Sequence, residues 1–225
     1  MGTHWYLLRS GSGAPALNMA LDEALLEAMP RLAMPMLRFY GWDEPAASFG
    51  YFQKYAAVER MTVLRPLIRR PTAGGVVPHD TDWTYSLMFP AAHEWYGTLA
   101  IESYQRVHQW LRETFALRGI STLLAPAALA AETGQCFAGY ERHDLLWRGQ
   151  KIAGAAQRRK REGLLIQGSV QPRGLAIRRV EWERAFCQAA PEIVWREFEP
   201  DSRLWERARE LAAQKYSQEA YNRRR

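Results

Sequence analysis

The run that decides the fold lies between residues 144 and 170 and reads DLLWRGQKIAGAAQRRKREGLLIQGSV. Three strand-like segments follow one another in it without an intervening helix, namely Leu145–Trp147, Lys151–Ala153 and Gly163–Val170. Turn residues at 148–150 make the first two segments a hairpin, and the basic stretch Arg158–Arg161 is the approach to the third. Because strands joined without helices pair antiparallel, we predict an α+β fold with a mixed, largely antiparallel sheet flanked by helices.

Apolar residues at helical spacing predict helices on both sides of this run. The first helix carries Leu17, Leu21, Leu25 and Met29 on one face and ends near Pro30. A second helix runs from about residue 99 to residue 118, and a third lies near 202–215. Further strands are predicted at 36–40, 46–49, 63–69 and 83–89, where apolar, β-branched and aromatic residues are bounded by Gly, Pro and Asp.

Composition bounds the class of protein. The chain has 225 residues, 48% of them hydrophobic, without an internal repeat or low-complexity linker, so we predict a single domain over residues 1–225. No apolar run approaches the roughly 20 residues that span a bilayer, and the N-terminus lacks a signal-peptide pattern. We therefore expect a cytoplasmic protein with no membrane partner. The net charge of +6 favours an acidic partner, but no nucleic-acid recognition module is visible, so we expect no nucleic-acid partner.

A second distinctive run, from Arg69 to Asp80, reads RRPTAGGVVPHD. Its arginines lead from a predicted strand into a turn of small residues. Glycine lets backbone N–H groups approach a ligand closely, and arginine pairs with phosphate or carboxylate. The run is therefore either a ligand-binding loop or a tight turn that contains Gly74 and Gly75, and the residues alone leave both open. Its glycine spacing fits neither a Walker loop nor a dinucleotide fingerprint.

A third candidate segment joins Cys136 to Lys151. A thiol becomes a useful nucleophile when a nearby cation lowers its pKa, and a lysine on the following hairpin is such a cation. Gly154 and the small Ala155 leave room for a ligand beside the backbone. The alternative is that Cys136 is a small buried hydrophobe, which is the commoner fate of a lone cysteine.

Other candidate groups are weaker. His143-Asp144 and His79-Asp80 resemble metal ligands, but no third ligand is spaced to support either pair, so we expect no metal site. Ser169 lies in no nucleophile-elbow pattern, so the sequence provides no argument for a Ser/His/Asp triad. Two cysteines argue against a disulfide scaffold, and Cys187, at helical spacing with its neighbours, is predicted to be a core residue.

Taken together, these segments resemble the lipoate–protein ligase A and octanoyltransferase family, which is related in fold to biotin–protein ligases. The run from Arg69 to Asp80 resembles the family signature RRxxGGGxVxHD, and the run from Lys151 to Arg158 resembles its lysine motif. Further matching segments occur in the same order, at 18–23, 38–42, 48–53, 84–86 and 167–169. The resemblance implies a biotin/lipoate ligase-like catalytic domain, with no accessory C-terminal domain. It also implies substrate binding by Arg70, Thr72, Ala73, Gly74, Gly75, Val76, His79, Asp144, Gly154, Ala155 and Gln157.

Within the family the resemblance leaves two chemistries. An octanoyltransferase of the Cys-dependent kind needs no cofactor and would carry the acyl group on Cys136, with Lys151 beside it as the second catalytic residue. Its donor and acceptor would be an acyl carrier protein or a lipoyl-carrier protein, and the accepting lysine would belong to a lipoyl domain or a glycine-cleavage carrier. A lipoate ligase would instead use ATP and Mg, pass through an acyl-adenylate, and leave Cys136 without a role. The position of Cys136 shortly before the hairpin favours the transferase.

Two residues depart from the family pattern. Ala73 stands where the family usually has the first of three glycines, and its methyl group strains the loop unless the residue has negative φ. Gln167 stands where many members have histidine. Ala73 is also the one feature that favours a third alternative, a non-catalytic relative that binds an acyl chain or a carrier.

Overall fold

The computed structural model describes residues 2–130 and 139–224. Within these ranges the strands are β1 Thr3–Gly13, β2 Met36–Trp42, β3 Ala46–Phe49, β4 Leu67–Arg69, β5 Val77–His79, β6 Trp83–Pro90, β7 Leu123–Leu124, β8 Leu145–Trp147, β9 Gln150–Lys160, β10 Gly163–Val170 and β11 Ile193–Glu197. The helices are α1 Pro15–Leu32, α2 Tyr55–Met61, α3 Glu94–Gly97, α4 Ala100–Ala116, α5 Arg179–Gln188, α6 Ser202–Leu211 and α7 Glu219–Asn222, with a π-helical turn at Ala212–Tyr216.

Among the described residues, eight strands form one sheet in the order β11-β1-β2-β6-β10-β9-β8-β7. β1 pairs parallel with both of its neighbours, and every other pair in this sheet is antiparallel. The predicted α+β class with a mixed, largely antiparallel sheet is therefore confirmed. The strands that form the parallel part were not predicted, since neither β1 nor β11 was among the predicted strands.

Helices cover both faces of the large sheet. On one face α4 and α5 pack over a core of large aromatic side chains that includes Trp110, Trp182 and Phe186. On the other face α1 lies against β6 and β10, and α6 packs against α1. Apolar side chains of α1, among them Met19 and Leu25, are buried in this second core. In the described ranges, no helix combines the length and the apolar character that crossing a membrane requires.

A smaller sheet in the order β4-β3-β5 stands beside the large one and carries the glycine-rich run. β3 pairs parallel with β4 and antiparallel with β5, so the chain must turn back between β4 and β5. Residues 70–76 make that turn, and we call them the glycine loop. The predicted strand at 46–49 is confirmed as β3.

The predicted hairpin around residue 149 is confirmed, with a turn tighter than predicted. Arg148 and Gly149 have φ of 51° and 77°, and positive φ at both central residues is the geometry that two-residue hairpin turns favour. Gln150 already belongs to β9. The basic stretch at 158–161 is not an approach to a strand, because β9 continues to Lys160 and pairs with β10 along this length.

Other element boundaries differ from prediction for local reasons. The strand expected at 63–69 is wrong except for β4, because residues 63–66 belong to no strand and the apolar side chain of Val63 is 95% exposed, so it has no sheet to pack against. α1 continues two residues past Pro30 and ends at Ala33, whose φ of 55° is left-handed. The third predicted helix changes to the π-helical turn after Leu211.

Candidate active site

A cavity of about 680 Å³ opens between the glycine loop, α4 and the strands β9 and β10. Part of its wall is apolar, formed by side chains from α1, α2 and α4 and from the segment after β7, among them Met19, Met61, Ile101 and Leu129. The remaining wall carries polar groups from the glycine loop, from β10 and from the β8–β9 hairpin. The cavity therefore combines room for an aliphatic chain with groups that could hold its polar end.

Lys151 and Asp144 form an ion pair in this wall. Lys151 Nζ lies 2.6 Å from Asp144 Oδ2, with the two side chains 18% and 6% exposed. The backbone N–H of Glu141 also donates to Asp144 Oδ2, at 2.7 Å, which fixes the carboxylate. The lysine side chain crosses directly over Gly154, since a Cβ on that residue would lie 2.8 Å from Lys151 Cε and 2.9 Å from Nζ. A glycine at 154 is thus what allows the ammonium to lie here.

Arg70 holds the glycine loop in shape from within. Its guanidinium is buried and donates to the carbonyls of Ala73 and Gly75 at 2.7 and 2.8 Å, and to Ser48 Oγ at 3.2 Å. Burial lowers the pKa of Arg70 to about 10, and no carboxylate of the described residues pairs with it. Arg69 faces elsewhere: it donates to the carbonyls of Tyr51 and Asn222 and ties the C-terminal α7 to the loop. Most of the donors on both arginines therefore bind the protein's own backbone.

The loop leaves backbone donors for a ligand. Within the described chain, no group accepts a hydrogen bond from the N–H of Gly74 or Gly75, and both residues line the cavity. Gly74 has φ of 89°, and a Cβ there would lie 2.8 Å from Arg70 Nη2. Ala73 is not among the described non-glycine residues with positive φ, which are Ala33, His143 and Arg148, so its methyl group brings no backbone strain.

A buried polar network connects the loop to α1. Thr72 Oγ1 donates to Gln167 Oε1 at 2.8 Å, and Gln167 Nε2 donates to Asp22 Oδ2 at 2.7 Å. Asp22 also forms a fully buried ion pair with Arg38, at 2.6 Å. Gln167 thus fills the position of the family's histidine with an amide that contacts both the loop and the helix. The network fixes the loop against the large sheet.

His79 lies between two polar side chains at the base of the cavity. Its Nε2 is 2.8 Å from Ser48 Oγ, and its Nδ1 is 2.9 Å from Asp82 Oδ2. The imidazole stacks on the Trp42 indole, with ring centroids 3.8 Å apart. Neither Ser48 nor Asp82 was among the predicted site residues. Hydrophobic periodicity in the sequence does not predict this contact, because Ser48 and His79 are brought together by the register of β3 on β5.

The structure brings most of the predicted site residues to one cavity. Its wall includes Arg70, Gly74, Gly75, Val76, His79, Asp144, Lys151, Gly154 and Ala155. Thr72, Ala73 and Gln157 do not line it: Thr72 and Ala73 support Arg70, and the buried Gln157 Oε1 has no partner among the described groups. Cys136 lies outside the described residues. The nearest described residues on either side of it in the chain, Ala130 and Gly139, both line the cavity.

The second cysteine lies apart from this cavity. Cys187, predicted to be a core residue, is half-buried on α5 and packs against the edge of the aromatic core. Burial raises the pKa of its thiol to about 12, so it is almost entirely protonated at neutral pH.

We compared the chain and its fold with known proteins to identify its family. The family model described as the lipoyl protein ligase A/B catalytic domain matches residues 14–172, which include the glycine loop, the lysine hairpin and β10. The chain therefore belongs to the lipoyl protein ligase A/B catalytic domain family.

Individual relatives are consistent with this assignment. Octanoyltransferase LipM of Anoxybacillus flavithermus is 35% identical over 179 residues, a match that covers 74% of this chain and 64% of the relative, so the chain spans just under two thirds of that protein. Among solved structures, a lipoate-protein ligase A bound with ATP has a TM-score of 0.76 at 20% identity, covering 99% of each chain. A bipartite lipoate protein ligase from Thermoplasma acidophilum, studied with its E2 lipoyl domain, has a TM-score of 0.72 at 19% identity, covering 99% of this chain and 96% of that one. At these identities the solved structures establish the fold alone.

Proposed function

We propose that this chain is an octanoyltransferase, which moves an octanoyl or lipoyl group from a carrier thioester through Cys136 to a lysine of a lipoyl-domain or glycine-cleavage carrier. The observation that carries the proposal is the Lys151–Asp144 pair, held over Gly154 in the wall of a cavity with a partly apolar lining. The 35% identity to an octanoyltransferase supports the same reaction.

The proposed chemistry assigns a role to each polar group. The thioester carbonyl oxygen would accept hydrogen bonds from the N–H groups of Gly74 and Gly75, which stabilise the negative charge that develops there. The Cys136 sulfur attacks the carbonyl carbon, the carbon–sulfur bond to the carrier breaks, and the cysteine proton leaves with the carrier thiol. The Lys151 ammonium favours the thiolate form of Cys136.

The second half of the reaction transfers the acyl group from Cys136 to the acceptor. The amine of the acceptor lysine attacks the Cys136 thioester, the carbon–sulfur bond breaks as an amide forms, and an amine proton returns to the sulfur. The partners of both halves are carrier proteins, as with the lipoyl domain of the Thermoplasma ligase. The net charge of +6 would speed the encounter with acidic carriers more than it tightens binding.

An ATP-dependent lipoate ligase remains the nearest alternative. Arg70 supports it to a limited extent, since a buried guanidinium without a carboxylate partner among the described residues suits an anion such as the phosphate of an adenylate. Most of its donors, however, are used by Ser48, Ala73 and Gly75. The binding-only alternative loses its one argument, because Ala73 does not strain the loop.

The test is the intact mass of the purified protein after incubation with octanoyl-carrier in the absence of ATP. We expect a gain of one octanoyl group that neutral hydroxylamine removes. Cys136→Ser should not acquire this hydroxylamine-labile mass, whereas Cys187→Ser, a matched change at the protonated cysteine of α5, should acquire it at the wild-type rate.

Two results would redirect the proposal. Hydroxylamine-labile octanoyl mass on Cys136→Ser would remove Cys136 from the mechanism. No adduct on the wild-type protein, together with lipoate-dependent release of pyrophosphate from ATP, would establish the ligase instead.

A further inference from the structure

Three side chains at the base of the cavity form a relay that the proposed transfer through Cys136 does not use. Asp82 Oδ2 lies 2.9 Å from His79 Nδ1, and His79 Nε2 lies 2.8 Å from Ser48 Oγ. The side chains are nearly inaccessible from outside, with residue exposures of 7%, 4% and 2%, yet Ser48 and His79 both line the cavity. A serine, an imidazole and a carboxylate in this order are the parts of a nucleophilic relay.

The surroundings determine which atom holds each proton. Thr84 Oγ1 and Ser169 Oγ already donate to Asp82 Oδ2, at 2.9 and 2.7 Å, so this oxygen acts as an acceptor. The His79 Nδ1 must then donate to it, which leaves Nε2 free to accept the proton of Ser48. Stacking on Trp42 keeps the ring in this orientation, and the Trp42 indole N–H is itself bonded to Thr84 at 2.8 Å.

The other side of Ser48 favours negative charge on its oxygen. Arg70 Nη1 donates to Ser48 Oγ at 3.2 Å, and the same guanidinium reaches the carbonyl of Gly75 at 2.8 Å. The buried cation stabilises the developing alkoxide, and the connection through Arg70 puts Ser48 next to the loop whose residues Gly74 and Gly75 line the cavity. A nucleophile, its base and oxyanion donors therefore share one wall.

We propose that Ser48, with His79 as its general base and Asp82 as the positioning residue, is a second acyl-accepting nucleophile that gives this protein a hydrolase activity toward activated medium-chain acyl groups. The inference rests on the proposed function only for the acyl nature of the substrate, and it does not require Cys136.

The proposed hydrolysis requires no reactant other than the acyl substrate and water. Ser48 Oγ attacks the carbonyl carbon of an ester or thioester, its proton passes to His79 Nε2, and that proton leaves with the departing alcohol or thiol. Water then attacks the Ser48 ester and gives up a proton to His79. The ester bond breaks, Ser48 regains the proton, and the fatty acid is released.

The experiment uses Cys136→Ala, which removes the thiol route, with p-nitrophenyl octanoate as the substrate. We expect release of p-nitrophenol and an octanoyl adduct on Ser48, located by peptide mapping and resistant to neutral hydroxylamine. Adding Ser48→Ala should lower the acylation rate by about 100-fold or more, and adding Asp82→Asn by at least about 10-fold. Adding Cys187→Ser, which changes a half-buried side chain of α5 that does not line this cavity, should retain at least about a third of the rate.

An octyl fluorophosphonate supplies a readout that does not depend on a folded Ser48 variant, since the label on the Cys136→Ala protein can be mapped directly. Label on Ser48 is the expected result. Absence of both label and octanoyl adduct from Ser48, or acylation unaffected by Ser48→Ala, would overturn the inference. The two proposals can fail separately. If the Cys136→Ala protein forms the Ser48 adduct but the wild-type protein gains no thioester at Cys136 from octanoyl-carrier, this inference stands and the proposed transferase is refuted.

Discussion

Gly154 controls the position of the Lys151 ammonium because it has no side chain. The Cε and Nζ atoms of the lysine pass within 3 Å of the place where a Cβ would stand, and Asp144 Oδ1 is 3.2 Å from the same point. The ion pair between Lys151 and Asp144 therefore requires that residue 154 carries no methyl group. The contacting atoms are the flexible end of a side chain, so a methyl group here would displace the ammonium with little effect on the backbone.

We expect Gly154→Ala to reduce the rate of octanoyl transfer from the carrier to Cys136 by about 10- to 100-fold, because the displaced ammonium no longer favours the thiolate form of Cys136. The melting temperature should change by only a few degrees. The measurement is single-turnover acylation followed by intact mass, beside a thermal unfolding curve. Gly97→Ala is the matched control, since a Cβ there meets nothing within 4 Å and should change neither quantity. A wild-type acylation rate in Gly154→Ala would show that the ammonium position is unimportant.

The sequence predicted Asp144 and Lys151 as site residues, but it did not predict the contact between Ser48 and His79. Asp144 and Lys151 are seven residues apart across a short turn, so their proximity follows from the hairpin alone. Ser48 and His79 are 31 residues apart and meet through strand register. Register depends on packing around the whole small sheet, which a local pattern does not contain.

The glycine loop depends on α1 and β10 as well as on its own residues. Thr72 is the connection, since its hydroxyl donates to Gln167 and accepts from Arg70 Nε at 3.1 Å. The polar residues of β10, Gln167 and Ser169, alternate with Gly168 and so lie on one face of the sheet, where α1 supplies Asp22. The position of the loop is therefore set by three elements at once.

We expect Thr72→Val to lower the free energy of unfolding by about 1–3 kcal/mol, because Gln167 Oε1 and one donor of Arg70 lose a buried partner. Urea denaturation measures the change. Thr72→Ser keeps the hydroxyl and should cost less than about 1 kcal/mol. Equal losses in the two variants would indicate that methyl packing, and not the hydrogen bonds, fixes the loop.

Sequence patterns predicted elements better than connections between them. The antiparallel strands from β8 to β10 are adjacent in the chain, so short turns dictate their pairing. The N-terminal strand β1 and its partner β11 were not foreseen, because their pairing joins residues about 190 positions apart. The prediction of a single domain over residues 1–225 stays a prediction.

Across the whole molecule, Glu23 joins parts of the chain that are far apart in sequence. Its buried carboxylate accepts from Lys160 at the end of β9, and from Lys215 and Tyr216 in the π-helical turn, at 2.5–2.7 Å. Burial raises the pKa of Glu23, but the hydrogen bonds from these three residues outweigh it and lower the pKa from 4.5 to about 2. Because the folded-state pKa is the lower one, the stabilisation is complete above about pH 4.5 and is lost as the pH falls through 2.

We expect Glu23→Gln to be less stable than the wild-type protein at pH 7 by about 3 kcal/mol, with the gap narrowing by about 2 kcal/mol at pH 3. Urea unfolding at the two pH values measures it. Glu27→Gln, which alters a more exposed pair with Arg207 on the same helix, should give a gap below about 1 kcal/mol at both. A Glu23→Gln gap that does not depend on pH would contradict the lowered pKa.

The position of β1 between β2 and β11 has a consequence for synthesis of the protein. Thr3 pairs with Ile193, so one edge of β1 stays open until residue 193 has been made. At 5–20 residues per second, a ribosome needs about 10–40 s to supply that partner. During this interval the nascent chain exposes an unpaired strand edge, which is the kind of surface that chaperones shield and that seeds aggregation when they do not.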